Sequence, residues 1–358
     1  MACGLLDEWS DHMTTSFRPS YSELLARRSS LVAPARVPAK AATLRSARDI
    51  VMAFAVQDWL VLAYFVCLGL AVLSGAGPDR TVCLQWVACD IAILLTGLVL
   101  LRGNAIASPT WTAGLYRALL GGLVAASFLQ LRKILPTATS RVLDTQIASF
   151  DMRVFHYEPA LAWDRFVNAS TVEWFAFFYF SYFVLVAVHV LVVPFLIKDT
   201  RVLAELSLGI MAVYCVAHVT YMLVPGFGPF VHFAGSFQHP LEGGFWWGCV
   251  QKTVSAGGAF KDIFPSLHTG APTFLALFSF RHRKLAPFRY TWPVMAFFAS
   301  QIVLATMFLR WHYLADIVAG ITLASTALFA TARITRWERA LKEQRIRRAG
   351  PLAVGLTG

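Results

Sequence analysis

Two short segments of the sequence hold residue types that together can carry out nucleophilic catalysis. The first, residues 264–270, reads Phe-Pro-Ser-Leu-His-Thr-Gly and contains His268, and the second, residues 306–316, contains His312 and Asp316. His312 and Asp316 are four positions apart, so a helical conformation would put both on one face. The carboxylate would then accept a hydrogen bond from one imidazole nitrogen, and the other nitrogen would be available to attack an electrophile.

The composition indicates what kind of scaffold positions these residues. Of 358 residues, 57% are hydrophobic and 14% are charged, against roughly 45–50% and about 25% in an ordinary soluble domain. A soluble protein of this length could not bury so much apolar surface. The composition excludes a soluble enzyme, a disordered chain and a small disulfide-rich domain. It predicts an all-α polytopic membrane protein, and the net charge of +11 lies in short clusters that are typical of membrane orientation rather than nucleic-acid binding.

Eight apolar runs are long enough, or nearly long enough, to cross a bilayer, which takes about 20 residues. The sixth run is the shortest and contains Pro272. We therefore predict an integral membrane bundle of about eight spans, at about 51–75, 81–101, 112–131, 172–197, 203–224, 266–280, 291–309 and 313–333.

The basic residues predict how these spans are oriented. On an eight-span path, 21 Lys and Arg residues fall on one side and 9 on the other, which places both termini in the cytoplasm. The two long connections, about 132–171 and 225–265, then lie outside. His268 and His312 are separated by one inward and one outward crossing, so both should lie near the outer surface. Three charged residues inside the spans are assigned either to structural pairing or to a site: Asp58, Asp90 and Arg117.

The two segments also resemble known signature motifs. Residues 264–270 and 310–316 are similar to the second and third motifs of the type-2 phosphatidic acid phosphatase superfamily, and most similar to its inositol phosphorylceramide synthase branch. Residues 221–229 resemble the proline-rich first motif of that branch, and a weaker similarity lies in 143–155. The resemblance covers about 140–335. It implies a six-helix catalytic core preceded by two N-terminal helices, with His268, His312 and Asp316 as catalytic residues.

These observations predict four segments of the chain. Residues 1–48 form a basic cytoplasmic segment, and 49–135 form the N-terminal transmembrane helices. Residues 136–335 form a catalytic membrane domain of the phosphatidic acid phosphatase type, and 336–358 form a basic cytoplasmic tail.

The chain departs from the superfamily's phosphatases at three positions where those enzymes carry phosphate-binding cations. Tyr221 and Gly228 stand at the Lys and Arg positions of the first motif, and Thr306 stands at the Arg position of the third. The candidate substrate-binding residues are therefore Ser266, Arg310, Lys261, Tyr221 and Thr306. Arg310 has a second interpretation as an interfacial anchor, and Ser266 as a local helix cap.

The resemblance implies a lipid phosphotransferase that works through a phosphohistidine and needs no metal ion or other cofactor. The donor would be a lipid phosphate or phospholipid, the acceptor a lipid hydroxyl or water, and nucleic acid is not an expected partner. The active site would face the periplasm, the extracellular space or an organelle lumen. A lipid phosphate phosphatase and a non-catalytic transporter or scaffold remain alternatives. Three residues are interpreted either as headgroup or acceptor ligands or as packing: Glu173, Tyr179 and Tyr182.

Overall fold

The protein is a bundle of helices with almost no other regular structure. The structure, a computed structural model, describes residues 46–349 except Ala107 and Ala259, and side chains as far as residue 344. Across this part of the chain there is no strand, and only an isolated bridge joins Gly226 and Asp262. The predicted all-α class is confirmed. Residues 1–45 of the predicted N-terminal segment and 350–358 of the predicted tail lie outside the described residues.

The principal helices follow the apolar runs of the sequence, with two more in the outer connections. In chain order they are α1 (Ala47–Met52), α2 (Val56–Ser74), α3 (Arg80–Arg102), α4 (Pro109–Ala138), α5 (Asp144–Val154), α6 (Ala169–Leu196), α7 (Thr200–Leu223), α8 (Phe245–Gly257), α9 (Leu267–Arg281), α10 (Phe288–Phe308) and α11 (Leu314–Ala349). Helix α6 contains a π-helical turn at Val188–Val192, a feature that often marks functional sites.

Seven of these helices are long and apolar enough to cross a membrane, namely α2, α3, α4, α6, α7, α10 and α11. The chain is therefore an integral membrane protein. Helix α9, which corresponds to the sixth predicted span, has only 15 residues, or about 22 Å at 1.5 Å per residue. It packs against α10 and α11, and ten of its residues are buried.

The short helix α9 starts well inside the bundle. Its first-turn residue His268 packs on Tyr179, which lies ten residues into α6. At 1.5 Å per residue, the start of α9 lies about 15 Å along α6 from the N-terminal end of that helix. A shorter helix in the centre of longer ones therefore leaves a recess above its first turn.

The N-terminal helices join the rest of the bundle through α2 and α4, which both pack on α7. Buried Asp58 in α2 pairs with Arg102 at 2.7 Å and accepts a hydrogen bond from the Tyr116 hydroxyl, so structural pairing is correct for this residue. Arg117 is different, because it is exposed and no described residue forms a hydrogen bond or ion pair with it. Asp90 is buried, and its Oδ2 has no partner among the described residues.

Helix α11 continues beyond its apolar run to Ala349, so the predicted tail starts inside a helix. Glu338, past the predicted end of the eighth span, accepts a hydrogen bond of 2.7 Å from the backbone amide of Val56. A carboxylate is favourable there because Val56 is the first residue of α2. Glu338 of α11 therefore fixes the start of α2.

Candidate active site

His312 and Asp316 meet at the start of α11. Asp316 lies in the first turn and is fully buried, and His312 lies two residues before the helix begins. His312 Nδ1 is 3.3 Å from Asp316 Oδ2, which also accepts a hydrogen bond from the Tyr313 amide. The amide of His312 donates to the carbonyl of Thr306 in α10. The imidazole therefore presents Nδ1 to the carboxylate. The spacing predicts that His312 is itself helical, but His312 precedes the first residue of α11.

Burial determines the charge of His312. The side chain is 6% exposed, and this burial lowers its pKa to about 4, although the charge of Asp262 and a backbone group of Ile263 act in the opposite direction. At neutral pH the imidazole is uncharged and can act as a nucleophile.

His268 lies beside His312 although 44 residues separate them in sequence. The two ring centroids are 6.4 Å apart, so one phosphate group bound between them would contact both rings. His268 packs between Tyr179 and Tyr182, each with its centroid 4.2 Å away. Its Nε2 atom is buried and has no hydrogen-bond partner in the described part of the chain. The structure thus brings the two histidines and Asp316 together.

A cavity of about 750 Å³ opens beside the two histidines, which is within the usual size range for ligand sites. Its walls are mainly aliphatic and aromatic. Asp262 is an acidic residue in the lining, and no Lys or Arg of the described chain lines it. Its polar side chains are Tyr179, Tyr182, Tyr214, Tyr221, Thr253, Asp262, His268, Trp311 and His312. Asp262 was not singled out as a site residue from the sequence. It lies six residues before His268, but nothing in the sequence distinguishes it from other acidic residues in the connections.

Two carboxylates of α5 hold the segments that carry the site. Asp144 accepts hydrogen bonds from the amides of Phe227 and Gly228, and from the Tyr313 hydroxyl at 2.9 Å. Asp144 therefore joins the segment that follows α7 to the residue next to His312.

Asp151, seven residues later on α5, accepts hydrogen bonds from the amides of Leu314 and Ala315 at 2.7 and 3.0 Å. These amides open α11, where a negative charge is favourable. Asp151 does not pair with Arg153, since Arg153 Nε donates to the carbonyl of Ser149. Asp151 fixes the turn of helix that carries Asp316.

We expect Asp151→Asn to lower both stability and turnover. The amide nitrogen of asparagine cannot accept a hydrogen bond, so one of the two α11 amides loses its partner. The loss of a charge-assisted hydrogen bond should reduce the free energy of unfolding by about 2 kcal/mol. Thermal unfolding in detergent and activity assays would measure both effects. Arg153→Gln on the same helix is the control, and equal losses in the two variants would contradict this role.

Glu173 performs the same task at another helix start. Its carboxylate accepts hydrogen bonds from the amides of Gly244, Trp246 and Trp247, at 2.7 to 3.0 Å. It therefore anchors the first turn of α8 on α6 and is not a cavity-lining residue. Tyr179 and Tyr182 do line the cavity, where they pack on His268.

Gly228 and Arg310 bring two backbone segments into contact. Gly228 has φ +89°, and a Cβ atom there would overlap the carbonyl oxygen of Trp311. The amide of Phe230 donates to the carbonyl of Arg310 at 2.7 Å, and Arg310 itself has φ +67°. The left-handed conformation is strained for arginine, and at Gly228 only glycine permits the close approach.

The Arg310 guanidinium does not reach the cavity. It pairs with Asp164 at 2.7 Å, donates to the carbonyl of His239 at 2.6 Å, and lies over the Phe237 ring. The side chain is 5% exposed, so it is not an interfacial anchor either. Its charge is compensated by Asp164.

The other predicted substrate-binding residues divide into one that lines the cavity and three that do not. Tyr221 is in the lining, whereas Lys261, Ser266 and Thr306 are not. Lys261 Nζ donates to the carbonyl of Thr139 at 3.4 Å.

Ser266 is the N-cap of α9, where its Oγ accepts a hydrogen bond from the Thr269 amide. The hydrogen bond to Thr269 therefore agrees with the second interpretation of Ser266, a local helix cap. Thr306 is fully buried, and its hydroxyl donates to the carbonyl of Val303.

Buried Glu158 lies beside this site and makes stability depend on pH. Its Oε1 accepts a hydrogen bond from the Ala160 amide, whereas Oε2 has no partner in the described residues. Burial raises the pKa of Glu158 from 4.5 to about 7. The folded protein then holds a proton that the unfolded chain releases, so stability falls as pH rises between these values.

We expect Glu158→Gln to remove this part of the pH dependence. The free energy of unfolding of the variant should equal that of the wild type at about pH 5 and exceed it by about 3 kcal/mol at about pH 8. Thermal unfolding midpoints measured across this range would test it. Replacement of exposed Glu242 by glutamine is the control. A pH profile that is the same in wild type and Glu158→Gln would contradict the assignment.

Fold and site together define a polytopic membrane protein with a paired histidine and aspartate beside a second histidine in an apolar cavity. A family model described as the PAP2 superfamily matches residues 145–330. The chain belongs to this superfamily, and membership indicates a phosphatase- or phosphotransferase-type enzyme. No curated protein and no solved structure matches the chain significantly.

Proposed function

We propose that the protein is a lipid phosphotransferase that moves a phospho-headgroup to a lipid hydroxyl through a phosphohistidine, as in inositol phosphorylceramide synthases. One observation carries this proposal: the two histidines line a cavity whose walls are mainly aliphatic and aromatic. A phosphate group would bind at the histidines, and the hydrocarbon of the same lipid would occupy the apolar part.

In the first step, neutral His312 attacks phosphorus through Nε2. A nitrogen–phosphorus bond forms, and the bond from phosphorus to the leaving alkoxide breaks. Asp316 holds the proton on Nδ1 and stabilises the positive charge that develops on the ring. His268 gives a proton to the alkoxide. A bound anionic phosphate favours the protonated form of His268, because an opposite charge nearby stabilises an imidazolium.

In the second step, the acceptor hydroxyl attacks the phosphohistidine. His268 takes the hydroxyl proton, the new oxygen–phosphorus bond forms, and the nitrogen–phosphorus bond to His312 breaks. Both histidines return to their starting protonation states. If water is the acceptor, the same steps release the phospho-headgroup and the enzyme is a hydrolase.

Backbone amides supply the positive potential that the cavity lacks in its side chains. The amides of Leu267 and His268 open α9, both residues line the cavity, and neither amide donates a hydrogen bond in the described structure. The start of a helix attracts anions. We therefore place the phosphate oxygens at this first turn.

Asp262 favours a donor with a single negative charge. Asp262 lines the cavity and acts electrostatically on His312. A phosphate monoester carries a second negative charge near neutral pH, and like charges repel in a cavity of low dielectric constant. A phosphodiester such as a glycerophospholipid avoids that cost, which supports transfer of a headgroup rather than hydrolysis of a monoester.

We place the active site on the extracytoplasmic side. The positions of the two histidines at the end of the bundle where α9 starts and α10 ends support this, together with the excess of basic residues at the opposite ends.

The test uses the full chain in detergent without added divalent metal. Labelled phosphatidylinositol or phosphatidic acid is supplied with and without ceramide, to wild type and His312→Gln. A new phospholipid that requires both ceramide and His312 would support the transferase. Release of the headgroup at the same rate with and without ceramide would indicate the phosphatase alternative. Equal product in both proteins would contradict the proposal.

A further inference from the structure

The cavity beside the histidines extends far into the bundle, and the N-terminal helices form part of its wall. On α6 its lining runs from Tyr179 to Leu191, and on α7 from Tyr221 to Ile210. At 1.5 Å per residue these stretches are about 18 and about 16 Å long. The two helices thus give nearly the same length for the cavity.

Helix α4 covers the inner part of this cavity. Gly121 lies at the inner end, and Val124, Phe128 and Leu129 continue the wall towards the histidines. Helix α4 precedes the region that matches the superfamily. The lipid cavity is therefore completed by residues from outside the catalytic core.

At its inner end the cavity adjoins a smaller one that contains several polar side chains among apolar ones. Gly121, Val190, Ile210 and Met211 also line a smaller cavity of about 50 Å³, whose other walls include Arg117, Gln57 and His189. Gln57 is hydrogen bonded to Ser207 at 2.9 Å. A hydrocarbon chain gains nothing by displacing water from such groups. The apolar part of the cavity consequently ends at Gly121 and Met211.

Gly121 stands where the chain would stop, and it leaves that space open. A Cβ atom added to Gly121 would meet no heavy atom within 4 Å. A larger side chain at this lining position would meet no nearby atom, and it would replace a glycine inside a helix, which favours helix formation. The neighbouring Gly122 also has no heavy atom within 4 Å of a Cβ atom, but it is exposed and lines neither cavity.

We infer that Gly121 determines the length of the acyl chain that the enzyme accepts: the chain of the phospholipid lies along α6 and α7, and its end reaches Gly121. This rests on the proposed lipid substrate. Residues that fill the inner end would exclude long chains and admit short ones, without contact with the histidines.

The test compares Gly121→Ala, Gly121→Leu and Gly121→Phe with the matched variants of Gly122. Each is assayed with dioctanoyl and dipalmitoyl phosphatidylinositol. Because burial of each methylene of the acyl chain favours binding, Gly121→Phe should lower kcat/KM for the long-chain lipid by about tenfold or more relative to the short-chain lipid. The loss should increase from alanine to phenylalanine, and the Gly122 variants should retain the wild-type ratio.

A second measurement does not depend on catalysis. Mass spectrometry of the lipids that co-purify with the protein should show shorter chains in Gly121→Phe than in wild type and Gly122→Phe. If chain preference and bound lipid are unchanged in every Gly121 variant, the inference is wrong, even when His312-dependent activity is present. If Gly121→Phe shifts the bound lipid but no variant is active, the proposed reaction fails and the chain-length assignment stands.

Discussion

Replacement of His312 by glutamine is expected to lower kcat/KM by at least about 10⁴-fold, because the covalent route is lost with the nucleophile. Glutamine has nearly the size of histidine and can still donate a hydrogen bond to Asp316, so the start of α11 should keep its conformation. The loss should therefore occur without a comparable fall in the unfolding temperature. The measurements are steady-state kinetics with the preferred phospholipid and thermal unfolding of the same preparation.

The covalent intermediate provides a direct check. A donor labelled in its phosphate should leave acid-labile label on the wild-type protein after rapid denaturation, and none on His312→Gln. Exposed His232, which does not line the cavity, is the matched control, and His232→Gln should retain label and activity. Label that persists in His312→Gln would assign the nucleophile to another residue.

The second large effect is expected at His268, where glutamine should reduce turnover by roughly 10²–10⁴-fold, the usual contribution of general acid–base catalysis. The reason is specific to the leaving group. An alkoxide is a strong base and needs a proton as it departs, whereas a nitrophenolate does not. His268→Gln should thus be severely impaired with a phospholipid and much less impaired in the first step with a nitrophenyl phosphodiester.

Formation of the labelled intermediate separates this role from a structural one. With the nitrophenyl substrate, His268→Gln should release nitrophenol in a burst and then transfer the phospho group slowly. If the variant is slowed equally with both leaving groups, His268 would act by positioning and not by proton transfer. Its stacking on Tyr179 at 4.2 Å makes that outcome measurable as a change in stability.

Much of the architecture follows from local composition. The positions of the helices were predictable because a span needs about 20 consecutive apolar residues, a property that can be read without tertiary contacts. The approach of His268 to His312 was likewise predictable, since one inward and one outward crossing return the chain to the same side. The proximity of His268, His312 and Asp316 could therefore be predicted from their residue types and from the number of membrane crossings between them.

The partners of single charged residues did not follow from the sequence. Arg310 was predicted to bind substrate, but Asp164, which lies 146 positions earlier, compensates its charge. Asp151 lies two residues from Arg153, but it binds amides 163 and 164 positions away. Spacing along one element predicts contacts on that element only, and these contacts depend on how separate loops pack.

Three carboxylates hold the loops mainly through backbone amides, and Asp144 also binds the Tyr313 hydroxyl. Asp144, Asp151 and Glu173 recognise the amides of Phe227, Gly228, Leu314, Ala315, Gly244, Trp246 and Trp247. Every residue except proline carries such an amide. Most of these loop positions can therefore mutate during evolution without releasing the histidines. A lineage could vary its loops, and with them the headgroups it accepts, while it inherits the same reaction centre.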